Sequence, residues 1–187
     1  WLLSSVAAVV GATDGVAGGG APAIRANVAA GRQPQDDTIK RVIVRQAGDD
    51  GSRSYRIPAL AVTPRGTLIA AFDIRWNGTG DLPANIDVGV RRSTDLGDSW
   101  GPMIVALDYD QSVPESRGNG VGDPAILVDE RSGHVFIAAL WSQGNRGWHG
   151  SGPGMAPAET GQLVIARSTD DGLTWEAPRS ITPQIKD

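Results

Sequence analysis

Arg56 and Asp81 are the side chains whose type and placement in this sequence suit chemistry, a fixed cation that can hold an anion and a carboxyl that can donate a proton. Arg56 opens the strand-like run "RIPALAVT". A guanidinium is planar, keeps its charge at any working pH and can grip a carboxylate with two parallel hydrogen bonds. Its plainer reading is a surface salt-bridge partner. Arg75 closes the next run, "TLIAAFDIR". Asp81 sits in the glycine-rich "NGTGDLP", a loop able to carry a carboxyl over a cavity; the plainer reading is an aspartate capping its own turn. Asp123 begins "DPAILVD". Asp87, in "NIDVGV", is a rival carboxyl, but a strand start suits it to orienting backbone. Asp73 is embedded in a strand and is a weaker candidate. Arg91 and Arg92 are adjacent, so strand alternation sends them to opposite faces.

The remaining chemistry-bearing types point nowhere. His134 and His149 are the only histidines and stand apart. There is no Cys, which excludes a disulfide scaffold and any thiolate metal site. "DYDQSVPE", Asp108 to Glu115, lacks the central glycine of an EF-hand. No metal or cofactor is expected. The 17 basic and 21 acidic residues give a net charge of -4 without a basic block, so nucleic acid is not an expected partner. Six Trp beside two Phe and two Tyr suit a turn-rich β-protein, stacking on sugar rings, or plain core packing.

The elements that must position these residues are short strands. After "RVIVRQ" come "RIPALAVT" and "TLIAAFDIR", parted by the turn signal "PRG". "IDVGVRRS" and "PMIVALD" follow. The second half answers with "DPAILVD", "HVFIAALW", "QLVIARS" and "EAPRSIT". No helical period stands out, and each half reads as a four-stranded meander. The octapeptide "STDLGDSW", Ser93 to Trp100, returns as "STDDGLTW", Ser168 to Trp175, which marks an internal repeat of one sheet, a propeller blade. The excess length of the period lies in two insertions, Trp76–Ile86 and Ser142–Gly161.

Successive turns of a meander lie at alternate ends of its sheet. That parity puts Arg56, Arg75, Asp81, Asp123 and both insertions at one end, and both octapeptides at the other. Within the octapeptides, Ser93 and Ser168 belong to a fixed order of Ser, Asp and Gly that suits a tight hairpin, and Asp95 and Asp170 can accept from turn amides. Gly97 and Gly172 can supply a positive φ, and Trp100 and Trp175 can anchor the hairpin. An active site needs one copy of its acid, so the two copies read as structural.

The pattern S-x-D-x-G-x-x-W resembles the Asp box of sialidases and related propellers. "YRIPAL", Tyr55 to Leu60, resembles the Arg-Ile-Pro motif of sialidases, and "FDIRWNGTGDLPANIDVGVRRSTDLGDSW", "GDPAILVD" and "TGQLVIARSTDDGLTW" continue the likeness from about Arg41 onward. The resemblance to bacterial exo-α-sialidases implies an all-β chain. It would hold the first two four-stranded blades of a six-bladed propeller, incomplete. It implies an enzyme, a glycoside hydrolase that removes terminal sialic acids from glycoconjugates with retention. Arg56 would bind the sugar carboxylate and Asp81 would act as acid/base. Arg75 and Asp123 would contact substrate. Trp148, Met155 and Gln162 would line the sugar pocket, or else belong to a plain rim loop.

The same resemblance implies a late tyrosine nucleophile with a glutamate partner and two further arginines. Tyr55 and Tyr109 are the only tyrosines, and neither sits where that nucleophile does. Two blades also fall short of the four that a closed propeller needs, roughly 300 residues at this period. The chain therefore reads as the N-terminal part of a longer protein, inactive alone and closed by the remainder of its own chain. Residues 1–36 read as a truncated signal peptide and linker, because the apolar run Leu2–Ala12 fits a signal h-region and is too short for a membrane span; residues 37–187 form the propeller part. The expected location is secreted, periplasmic or at the cell surface. The rival reading is a non-catalytic propeller that binds sugar as an adhesive module.

Overall fold

The computed structural model describes residues 40–109, 119–144 and 151–187. The expected leader and linker, and Trp148 and His149, lie outside the described residues. Among the described residues eight strands form in chain order: β1 (Ser54–Val62), β2 (Leu68–Arg75), β3 (Ile86–Ser93), β4 (Ile104–Leu107), β5 (Gly120–Val128), β6 (Val135–Ser142), β7 (Gln162–Ser168) and β8 (Arg179–Ser180). They make two antiparallel meanders, β1-β2-β3-β4 and β5-β6-β7-β8. One helical turn, α1 (Thr182–Ile185), follows β8.

Two expected strands change. "RVIVRQ" forms no strand; Val44 instead packs with Phe72 and Ile74, and its carbonyl accepts from Arg91 Nη1 at 2.5 Å. β-Branched composition favours a strand only where a partner strand offers its ladder. "EAPRSIT" shrinks to the two residues of β8, since Pro178 has no N–H to pair.

Strand alternation explains how the core and the polar end share one face. In β2, Ile69 and Ala71 point to the second sheet and are fully buried with Val88, Val90 and Leu107 from their own sheet. Val121, Val135, Ile137, Ala139, Val164 and Ala166 meet them from the second. Each fully buried Ile or Val contributes roughly 1.5–3 kcal/mol by leaving water. Two and four residues beyond Ala71, on the same face, come Asp73 and Arg75. They are buried too, but past the apolar layer. The opposite face of β2 carries Ala70, Phe72 and Ile74, covered by Val44, Tyr55, Trp76, Trp100 and Met103.

The two octapeptides fold alike. Ser93 Oγ accepts from Gly97 N, and Ser168 Oγ from Gly172 N, both at 2.8 Å. Asp95 Oδ1 accepts from Ser99 N, and Asp170 Oδ1 from Thr174 N, both at 2.9 Å. The Ser99 hydroxyl and amide hold the Asp95 carboxyl down at about 2. Burial pushes Asp170 up, but its donors, led by the Thr174 hydroxyl, outweigh that and also hold it at about 2. Gly97 and Gly172 take φ values of 88° and 82°, which close the turn without a Cβ clash.

Of the three positions at which the repeats differ, the fourth sets their packing apart. Leu96 is 85% exposed, whereas Asp171, its counterpart, is buried against the first sheet. Asp171 Oδ2 accepts from Thr67 Oγ1 at 2.6 Å and from Arg92 Nη2 at 2.7 Å. Arg92 Nε also donates to the Asp171 carbonyl at 2.6 Å. Burial raises the Asp171 carboxyl, yet these donors hold it below its ordinary value. The second octapeptide thus ties its sheet to the turn end of β2 and β3. Arg91, one residue from Arg92, points the other way and donates to Gly101 O and Val44 O.

Candidate active site

The other end of the two sheets holds a cavity of about 290 Å³. Arg56, Ile57, Asp73, Arg75, Asp81 and Asp123 line it, with Leu140, Ser142, Ser151 and Gly161 on the second-sheet side. Parity of the meander turns brought the four favoured residues together, and the geometry agrees.

The first strand of each sheet enters the cavity through the same irregularity. The β1–β2 register shifts between Arg56 and Ala59, and the β5–β6 register between Gly122 and Ala125. Each bulge contains a residue before proline at positive φ, Ile57 at 52° and Asp123 at 56°. A β-branched residue there stores backbone strain of order 1–3 kcal/mol. The bulge bends the strand end and re-aims its side chains toward the cavity. The repeated "xPA" in "RIPA" and "GDPA" is the sequence signal for this pair.

Asp73, a weaker candidate from its place in a strand, is the keystone. Its Oδ2 accepts from Arg75 Nε at 3.1 Å and Nη2 at 2.8 Å. Its Oδ1 accepts from the Asp123 amide at 2.9 Å. The opposing position is Gly122, where a Cβ would stand 3.0 Å from Asp73 Oδ1. Glycine there leaves the carboxylate room to cross between the sheets.

Arg75 is saturated rather than open. Its side chain is 2% exposed. Beyond Asp73, its Nη1 donates to Thr79 O at 2.9 Å and Gly80 O at 2.7 Å, and lies 2.7 Å from Asp81 Oδ1. Burial works against the cation, but the Asp73 and Asp81 carboxylates more than offset it and hold the guanidinium above its ordinary pKa. Arg75 therefore buckles the glycine-rich loop down and aims Asp81.

Asp81 and Arg56 are the exposed members, at 66% and 47%. Arg56 Nη1 lies a long 3.3 Å from Asp81 Oδ1, so most of its fork is available. Arg75 first, then Arg56, hold the Asp81 carboxyl below the ordinary carboxylate range. Asp87, the rival, lies on the opposite face of β3 from the cavity-lining Ile86. Its Oδ2 accepts from Trp76 Nε1 at 2.5 Å, which anchors the base of the Asp81 loop. Burial, with the negative charge of Asp108 nearby, pushes Asp87 up to about 7.

Three other expectations resolve by position. Gln162 is buried under the rim loop, where its amide donates to Met155 O and Thr160 O and its oxygen accepts from Ser180 Oγ. All its polar atoms are used there, so it supports the loop and does not face the cavity. Tyr55 donates its hydroxyl to Asp49 O at 2.8 Å and packs edge-on to Phe72. Tyr109 stacks on Trp141 at 4.3 Å, and burial pushes its phenol up to about 12. A nucleophile needs a lowered pKa or a base, and neither tyrosine lines the cavity.

Two stacked four-stranded meanders, with bulged inner strands opening a polar cavity at one end, are blades of an incomplete β-propeller. The chain is 48% identical over 149 residues to a Bacteroides fragilis sialidase, covering 77% of this chain and 27% of the relative. It is 42% identical over 140 residues to a Micromonospora viridifaciens sialidase, covering 74% and 21%. The solved Hadza microbial sialidase Hz136 is 51% identical with a TM-score of 0.74, covering 77% of this chain and 29% of that one. No protein-family model matches the sequence. The chain belongs to the sialidases, and it spans about a quarter of the length of the curated relatives it matches. Among the described residues, no helix is long and apolar enough to cross a membrane.

Proposed function

We propose that this chain is the carboxylate-binding and acid-bearing part of an exo-α-sialidase, which hydrolyses terminal sialic acids from glycoconjugates with retention. One observation carries the reading: an exposed guanidinium and an exposed carboxylate share a cavity, both standing on the buried Asp73–Arg75 pair. The sequence likeness to proteins named sialidase supports the substrate class.

Electrostatics gives the order of events. In the empty cavity Asp81 is ionised and holds Arg56 loosely. The anionic sugar's carboxylate takes the Arg56 fork and displaces that contact. Asp81 then loses a cationic neighbour, gains an anionic one and is covered by the sugar. Each change raises its affinity for a proton. A protonated Asp81 can then deliver that proton to the leaving glycosidic oxygen.

The nucleophile is a separate matter. The likeness to sialidases implies a tyrosine nucleophile with a glutamate base and two further arginines; with Tyr55 and Tyr109 both engaged away from the cavity, these would come from elsewhere in a longer polypeptide, which would also close the propeller. Its setting is outside the cytoplasm, in keeping with the apolar run Leu2–Ala12. A fluorogenic aryl sialoside tests the reading. The protein carrying this chain together with the rest of a sialidase-length polypeptide releases the fluorophore, and the 187-residue chain alone does not. Turnover by the short chain would show that the nucleophile lies within it.

A further inference from the structure

Part of the second-sheet wall of the cavity is built on a loop with no regular structure; the rest comes from β5 and β6. Ser151 and Gly161, which line the cavity, are the two ends of residues 151–161, the stretch that leads into β7. Backbone pairing across it is sparse. Gly152 N donates to Glu159 O at 2.9 Å, and Glu159 and Thr160 amides return to Ala156 O. The Glu159 carboxylate accepts from Ala156 N at 3.1 Å, and Gly161 N reaches Ser151 Oγ at 3.4 Å. Such a ring leaves carbonyls that need donors from outside it.

Lys186, the residue after α1, supplies them. Its ammonium donates to Gly152 O at 2.5 Å, Gly154 O at 2.7 Å and Thr160 Oγ1 at 3.0 Å. An ammonium has three N–H donors, and all three are spent on this one loop. Each acceptor is neutral, so carbonyl and hydroxyl dipoles hold the charge, and charge-assisted bonds of this kind are about twice as strong as neutral ones. Gln162 grips the same loop from β7 through Met155 O and Thr160 O. The loop is filled tightly: a Cβ on Gly154 would collide with the Glu159 side chain. It has little room to settle elsewhere while Lys186 is in place.

We infer that Lys186 is a positioning residue for substrate. By holding Gly152, Gly154 and Thr160, it fixes where Ser151 and Gly161 stand and so how closely the second-sheet wall fits a bound sugar. The sugar's identity rests on the sialidase reading; the strut does not. Lys186 touches no reacting atom, so its loss acts on binding more than on the chemical step.

The test uses the sialidase-length protein carrying Lys186→Met, which keeps the stem and removes the donors, and Lys186→Arg, which keeps the charge. Amide hydrogen exchange in residues 152–160 of Lys186→Met is expected to quicken by about tenfold or more. KM for a sialoside is expected to rise by about tenfold with kcat within about twofold, and Lys186→Arg to fall between Lys186→Met and wild type. Faster exchange with an unchanged KM overturns the positioning role. Unchanged exchange overturns the strut itself. Loss of active protein in proportion to unfolding, with KM unmoved in the folded fraction, reduces Lys186 to a stability residue and also overturns the role. If the wild-type protein turns over no sialoside, the sialidase reading fails, and the exchange measurement alone still decides the strut.

Discussion

In a sialidase-length protein carrying this chain, Asp81→Ala is expected to lower kcat on sialosides with poor leaving groups by about 10³-fold, within the usual range for losing a general acid. On activated aryl sialosides, whose leaving oxygen needs no proton, the same variant stays within about tenfold of wild type. The contrast isolates the role. Asp81 is anchored by Arg75 and faces Arg56, so its loss also removes a negative charge from the cavity. That change favours an anionic sugar and lowers KM or leaves it alone. A uniform fall on both substrate types would reassign Asp81 to positioning. A rise in KM with kcat intact would assign it to ground-state binding.

Asp73→Asn is expected to damage both stability and activity from one atom's change. The carboxylate serves Arg75 through one oxygen and the Asp123 amide through the other. An asparagine must turn its –NH₂ toward one of those donors. It also leaves the Arg75 cation, 2% exposed, without its main counter-charge. Breaking a buried pair from one side costs about 3–5 kcal/mol. Thermal unfolding should therefore fall by roughly 10 °C, and kcat/KM by about 100-fold, as Arg75 releases the loop that aims Asp81. Asp87→Asn, on the other face of β3, is the control and should retain kcat/KM within about threefold. A folded Asp73→Asn with wild-type stability and activity would remove Asp73 from the site.

Strand order, turn ends and the gathering of Arg56, Arg75, Asp81 and Asp123 were legible because meander parity depends only on counting turns. The contrast between Arg91 and Arg92 was legible for the same reason, since adjacent residues of a strand must part. Asp73 was legible in principle: it shares the parity of Ile69, Ala71 and Arg75, and a carboxylate on the core-facing side of a strand has to find a partner. Being strand-embedded counted against it, when that was the clue. The saturation of Arg75 was not legible. Its acceptors are carbonyls of Thr79 and Gly80, whose directions depend on the loop's path and leave no mark in residue type. Gln162 and Lys186 escaped for the same reason, as did "RVIVRQ", whose composition says strand while its neighbours offer no ladder.

The central claim is that Arg56 receives a sugar carboxylate in this cavity. Calorimetric titration of sialic acid and of its methyl ester into the protein tests it most directly. Wild type should bind the acid at least about tenfold more tightly than the ester, and Arg56→Met should bind both equally and weakly. Equal affinity of the wild-type protein for acid and ester, or an undiminished preference in Arg56→Met, would contradict it.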